Sequence, residues 1–188
     1  PELCERISTE PQISKFNIIH EFLNLIMKRG LFVGRFQPFH LGHLQDIKDA
    51  LKEVDELIIG IGSSNESRTR ENPFTFEERV KMIDLALLKN NIAGYTIFPI
   101  RDFNDDNKWV EHIEKNLPKF DVVYTGNKWT ERCFRKFGYR VKKVNMVEGI
   151  SSTIIRDMIA GGKEWEKLVP KEVADFISKI KGVERVKS

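Results

Sequence analysis

Two rhythms of apolar and polar positions alternate along the chain. Short, nearly continuous apolar runs lie at 29–33, 56–62, 95–100, 121–125 and 140–144. Each reads as a strand, and the run at 56–62 has the pattern of a parallel strand covered on both faces. Between the runs, apolar residues recur every three or four positions, as on one face of a helix. Leu44, Ile47, Leu51 and Val54 predict a helix over 42–53. Thr75 and Glu78 form a capping box that opens a helix with Val80, Ile83, Leu87 and Leu88 on its apolar face. A short helix is expected from Trp109 to Asn116, ended by Pro118, and another over 129–137 with Gly138 past its end. Ile154, Ile155, Met158 and Ile159 predict a helix stopped by Gly161 and Gly162. Pro170 opens a last one, with Val173, Phe176, Ile177 and Ile180 facing inward.

Strands alternating with helices specify an α/β fold. The expected architecture is a doubly wound, parallel, five-stranded sheet with helices on both faces, Rossmann-like. Ligands in such folds bind outside the carboxyl ends of the strands, where the strand order switches. The unusual loops, at 34–43, 63–73, 101–108, 126–128 and 149–153, each follow a strand. They should therefore open on one edge of the sheet. Residues 27–188 form the expected domain, C-terminal helices included. Residues 1–26 read as an extension: either chain outside the fold, or an amphipathic helix through Phe16, Ile19, Phe22, Leu23 and Ile26 that packs on a neighbouring subunit.

Composition narrows the function classes. The 188 residues hold 31 Lys and Arg against 28 Asp and Glu, a formal charge of +3. That balance is too mild for a nucleic-acid partner. Cys4 and Cys133 belong to no Cys-x-x-Cys pair, so neither a disulfide framework nor a zinc knuckle is expected. No apolar run approaches the ~18 residues of a membrane span. The start of the chain, Pro1 to Arg6, is acidic where a signal peptide would be basic. A cytoplasmic enzyme or binding protein is the expectation.

The chemistry concentrates in the first strand-to-helix turn, Gly34-Arg35-Phe36-Gln37-Pro38-Phe39-His40-Leu41-Gly42-His43. Gly34 permits a tight turn and close backbone approach to an anion. His43 stands at a helix start, where free N–H groups and the helix dipole favour phosphate. Two imidazoles there can donate to phosphoryl oxygens. No Gly-Lys-Ser/Thr occurs, so this is not a Walker loop. Gly60-x-Gly62 echoes a dinucleotide fingerprint, but Asn65 stands where its third glycine belongs. Zinc would need more ligands than His20 and His112 offer from their contexts.

The ten-residue turn is similar to the His-x-Gly-His signature of the nucleotidyltransferase superfamily. Ile150-Ser151-Ser152-Thr153-Ile154-Ile155-Arg156 resembles its second signature, Ile-Ser-Ser-Thr-x-x-Arg. The long form of the first most resembles the archaeal-type nicotinamide mononucleotide adenylyltransferases, over roughly 28–188. The resemblance implies direct transfer of the adenylyl group of ATP to nicotinamide mononucleotide, giving NAD+ and pyrophosphate, with no protein nucleophile. His40 and His43 would contact the transferring phosphate. Arg35 and Arg156 would hold the pyrophosphate end. Gly34, Phe36, Gln37, Gly42, Gly126, Asn127, Ile150, Ser151, Ser152 and Thr153 would bind ATP. Ser151 to Thr153 offer hydroxyls and amides at a helix N-terminus, a ready anion site, and Arg156 can fork onto phosphates.

Mg2+ would bridge phosphate oxygens, with no metal ligand from protein side chains. Trp109, after a polar loop, suits a flat cationic ring, with Asn104 nearby. Arg68 and Arg70 are either phosphate contacts or a solvated face. The resemblance also implies a homo-oligomer, such as a hexamer. Rival acceptors are nicotinate mononucleotide, FMN and phosphopantetheine. Rival classes are a non-catalytic nucleotide sensor and a fragment of a class I aminoacyl-tRNA synthetase. No Lys-Met-Ser-Lys-Ser stretch supports the last.

Overall fold

A computed structural model describes residues 26–145 and 147–187. Of the extension expected over 1–26, with its helix through Phe16 to Ile26, all but Ile26 lies outside the described residues. Five strands, β1 (Arg29–Gly34), β2 (Glu56–Ile61), β3 (Tyr95–Pro99), β4 (Val122–Thr125) and β5 (Arg140–Lys143), form one sheet in the order β3-β2-β1-β4-β5. All pairings are parallel, with Gly34 opposite Ile61 and Leu31 opposite Val123. The helices are α1 (Leu41–Ala50), α2 (Phe76–Lys89), α3 (Asp106–Asn116), α4 (Lys128–Lys136), α5 (Ser152–Ala160), α6 (Lys171–Lys179) and α7 (Gly182–Lys187).

The strand order explains where the helices lie. From β1 the chain adds β2 and β3 on one side, then returns to add β4 and β5 on the other. Crossovers of one hand therefore place the first helices on one face and the later pair on the opposite face. Two cores separate accordingly. Phe32, Leu57, Ile59, Ile61, Val122 and Tyr124 meet α1, α2, α5, α6 and α7. Leu31, Val33, Ile58, Val123 and Val141 meet α3 and α4. The split follows the alternation of side chains along each strand. The switch in strand order falls between β1 and β4, so a crevice opens above their carboxyl ends.

Several boundaries depart from the sequence reading. Helix α3 starts at Asp106, not Trp109, because Asp105 caps it by accepting the backbone N–H groups of Asn107 and Lys108. Trp109 is thereby a helical residue, 2 % exposed. Leu88 is not on the apolar face of α2 and stands 75 % exposed. The buried stripe there is Met82, Ile83, Ala86 and Leu87, and Leu88 lies about 100° further round the helix. The last helix is two: α6 ends near Ile180, Lys181 takes a left-handed conformation (φ 54°), and α7 follows. Arg185 of α7 donates to Glu78 at 2.8 Å. Among the described residues no helix is long and apolar enough to cross a membrane.

Candidate active site

The turn after β1 is built around a reciprocal cap. His40 is the N-cap of α1, and its ring accepts the backbone N–H of His43 at Nδ1, 3.2 Å away. The His43 ring in turn accepts the His40 backbone N–H at its own Nδ1, 3.3 Å. This is a capping box in which two imidazoles replace the usual hydroxyl and carboxylate. Because both Nδ1 atoms accept, both neutral rings carry their proton on Nε2. The rings stack with centroids 3.5 Å apart and 16° between planes. Phe36, Phe39 and Phe32 surround His43 at centroid distances of 4.7, 5.6 and 6.2 Å. Burial lowers His40 to about 4. Burial, then the neighbouring His40, holds His43 well below its ordinary value. Both are neutral donors near pH 7.

The backbone accommodates this packing at two glycines. A Cβ on Gly34 would meet the Phe36 ring at 2.9 Å, and one on Gly42 would meet the His40 ring at 3.1 Å. Phe36 is left-handed (φ 53°) and buried. That conformation costs a bulky residue on the order of 1–3 kcal/mol, which the burial of its ring offsets.

Four side chains fasten the neighbouring loops. Arg79 of α2 is fully buried. Its guanidinium donates to the carbonyls of Arg35 (3.0 Å), Gly62 (2.8 Å), Ser63 (3.0 Å) and Thr75 (3.2 Å). Burial lowers it to about 10, so it stays charged. The Gln37 side chain pairs with the backbone of Phe74, donating to its carbonyl (2.9 Å) and accepting its N–H (3.0 Å). At the start of α5, Ser152 donates to the Pro38 carbonyl (3.0 Å) and Arg156 to the Gln37 carbonyl (2.8 Å). The two signature segments, 114 residues apart at Ser152 and Pro38, therefore touch directly.

Above β1 and β4 lies a cavity of about 480 Å³, within the range of small-molecule sites. Gly34, Arg35, His40, Gly42, His43, Gly126, Asn127, Ile150, Ser151, Ser152 and Trp109 all line it, as the sequence reading expects. The remaining expected residues do not. Phe36 and Gln37 are buried beneath the loop. Thr153 is exposed outside the wall. Arg156 is turned back onto Gln37 and Thr153. Asn104 and Arg70 are exposed beyond the rim, and Arg68 pairs loosely with Glu78 at 3.9 Å. Trp109 is not at a loop end. It is wedged against Phe134, and its ring is 4.7 Å from that of Trp129.

The sequence reading missed four contributors. Trp129 is 36 % exposed and lines the cavity, with its indole N–H on Asp106 at 3.0 Å. Asp46 and Asp102 also line it. Arg79 lies behind it. Two of these carried a signal. Asp46 follows His43 by three positions, on the same face of α1. Arg79 interrupts the apolar spacing of Phe76, Ile83 and Ala86 in α2.

Charge in the wall is unbalanced for a triphosphate. Among the described residues Arg35 is its sole Lys or Arg, against the carboxyls of Asp46 and Asp102. No group of three or more His, Cys, Asp or Glu could hold a metal ion among those residues. The excess of carboxyl over basic side chains in the wall is compatible with a divalent cation brought in on phosphate oxygens.

Comparison with known proteins shows the family. The cytidylyltransferase-like family model matches residues 31–158. Nicotinamide-nucleotide adenylyltransferase of Pyrococcus furiosus is 45% identical over 166 residues, 86% of this chain and 88% of that protein. The protein of the same name from Archaeoglobus fulgidus is 44% identical over 85% of this chain and 95% of its own. Among solved structures, a bifunctional NMN adenylyltransferase/ADP ribose pyrophosphatase from Francisella tularensis, complexed with AMP and a manganese ion, superposes with a TM-score of 0.70. At 24% identity that likeness speaks for the fold, and the chain spans 52% of that protein's length. Matched along most of its length by curated relatives of that name and by the family model, the chain belongs to the nicotinamide-nucleotide adenylyltransferases of the cytidylyltransferase-like family.

Proposed function

We propose that this chain joins nicotinamide mononucleotide to the adenylyl group of ATP, giving NAD+ and pyrophosphate, in the cavity above β1 and β4. The observation that carries the reading is the pair of imidazoles fixed as Nε2–H donors at the start of α1. An oxygen of the mononucleotide 5′-phosphate attacks the α-phosphorus of ATP. The bond from that phosphorus to the bridging oxygen breaks, and pyrophosphate leaves with the electron pair. Phosphate monoesters are already anionic near pH 7, so no general base is required. The imidazoles suit this well. Each Nδ1 is occupied and each Nε2 already bears a proton, so the rings donate to phosphoryl oxygens and take up nothing.

Arg35, Ser151 and Ser152 face the pyrophosphate end, with the amides at the N-terminus of α5 adding donors. Arg156 serves from behind, holding the Gln37 carbonyl and so the shape of the turn. Mg2+ bound with the triphosphate supplies the positive charge that the wall lacks. Gly126, Asn127 and Ile150 bound the adenosine. Trp109 and Trp129 form the aromatic wall for the nicotinamide ring, where stacking and cation–π attraction favour a flat cation. Assembly into a homo-oligomer, read by sedimentation of the full chain, belongs to the same proposal.

The test is pyrophosphate release from ATP and Mg2+ with a panel of acceptors: nicotinamide mononucleotide, nicotinate mononucleotide, FMN and phosphopantetheine. Release with the first, well above the others, is the expected result. Binding of ATP without release from any acceptor would mean a sensor. Replacing His43 by Ala removes one transition-state donor, and kcat should fall about 10²–10³-fold. A kcat within a few-fold of wild type would remove His43 from the reaction.

A further inference from the structure

Among the described residues Asp46 is the one buried carboxyl in the cavity wall, 8 % exposed. Its Oδ1 is buried with no hydrogen-bond partner. Such an atom is a cost to folding, since a buried acceptor left unpaired has lost water and gained nothing. The surroundings do not relieve it. The Asn145 backbone N–H faces the carboxyl, while Asp49, one turn along α1, repels it. Lys142 and Lys143 are nearby but pair with Glu53 and Glu131. Burial, followed by Asp49, raises the carboxyl to about 7. In either protonation state one oxygen can accept a hydrogen bond.

Its place in the cavity says what it meets. It lies one turn deeper in α1 than His43, whose end of the helix faces the phosphates. Its backbone partner Asn145 adjoins Val144, and Val144, Val147 and Ile150 give that end of the cavity an apolar wall. The tryptophan pair belongs to α3 and α4, on the opposite face of the sheet from α1. A flat base extending from the phosphates along the Val144–Ile150 side therefore brings its edge to Asp46.

From this placement we infer that Asp46 is a base-reading residue: its carboxyl accepts a hydrogen bond from the exocyclic amine of the triphosphate's base, favouring a 6-aminopurine over its 6-oxo counterpart. The inference rests on the reading of the cavity as a nucleotide site. ATP presents an N–H donor to the carboxyl, and ITP presents an oxygen lone pair at the same position.

The test compares ATP with ITP in the wild type, Asp46→Ala and Asp46→Asn. Dissociation constants come from calorimetry in the absence of the mononucleotide, and kcat/KM from pyrophosphate release. The wild type should prefer ATP by about tenfold or more. Asp46→Ala should bring the ATP/ITP ratio of dissociation constants towards one, with most of the loss on ATP. Asp46→Asn, which keeps a carbonyl acceptor, should restore part of it. The ligand-free Asp46→Ala protein should melt no lower than wild type, because an unpaired buried oxygen has gone. An unchanged ATP/ITP ratio overturns the inference, as does equal weakening of both nucleotides with a lower melting temperature. Binding neither nucleotide overturns it too. If ATP binds but no acceptor yields pyrophosphate, the adenylyl-transfer reading fails while the two dissociation constants still judge Asp46.

Discussion

Acid should loosen this protein through its histidine cap, and His40 allows the effect to be sized. In the folded chain His40 resists protonation until about pH 4, against 6.5 for a free imidazole. The unfolded chain therefore takes up a proton below 6.5 that the folded chain refuses. Stability is fully present above 6.5 and is lost as pH falls towards 4. The gap corresponds to about 3 kcal/mol once both forms are protonated, and about 2 kcal/mol by pH 5. The structural reason is plain: a proton on Nδ1 would turn the acceptor of the His43 N–H into a donor facing a donor. His43, depressed in the same direction, adds to the loss. Asp46 works against it, because its carboxyl, raised to about 7, binds a proton in the folded chain before the unfolded chain does.

The wild-type profile is thus a sum of opposed effects, and the decisive measurement is a difference. In His40→Asn the cap acceptor remains, since Asn is a good N-cap, but the titration is gone. Urea unfolding at about pH 7.5 and about pH 5 should show the variant losing about 2 kcal/mol less than wild type, at equal m-values. Equal losses in the two proteins would refute the reasoning.

Arg79→Lys keeps the charge but not the fork that serves four carbonyls. About 3 kcal/mol of stability should go, measured by urea unfolding. kcat should fall with it, because the carbonyls of Arg35 and Ser63 lose their anchor. Unchanged stability would show that water replaces the guanidinium at little cost. The tryptophans should separate by experiment. Trp129→Ala should raise KM for the mononucleotide more than for ATP, with little change in melting temperature. Trp109→Ala, which empties a buried site, should cost about 3–5 kcal/mol. Equal destabilisation by the two would contradict their different exposures.

The periodicities carried the sheet, the parallel pairing and the edge on which the loops gather, because burial on two faces leaves a direct imprint on strand composition. They misjudged the start of α3, because Asp105 competes as a cap with the apolar spacing that begins at Trp109. They gave the C-terminal region one last helix and missed α7, because that helix offers only Val183 and Val186 to the core and is also held by Arg185 on Glu78. The signatures at 34–43 and 150–156 named the residues of the site but not the direction of each side chain. A motif does not tell that Gln37 points away from the cavity into the Phe74 backbone, or that Arg156 supports the loop from behind. Trp129 and Asp46 belong to no motif, and their part is visible only once the chain has folded.

The loop between β2 and α2 is fastened at both ends by side chains from elsewhere. Arg79 grips the carbonyls of Gly62 and Ser63, and Gln37 grips Phe74. Between them Ser64 donates its backbone N–H to the Ile100 carbonyl, and Asn72 and Pro73 are buried, whereas residues 65–71 are exposed or half-buried and pair with no strand. Loop length is thermodynamically cheap, about 0.6 kcal/mol for each doubling. Residues 65–71 are therefore an interchangeable part, a rim segment that can be lengthened, recharged or grafted from a relative to change what reaches the phosphate end of the cavity, while the imidazole pair stays where it is.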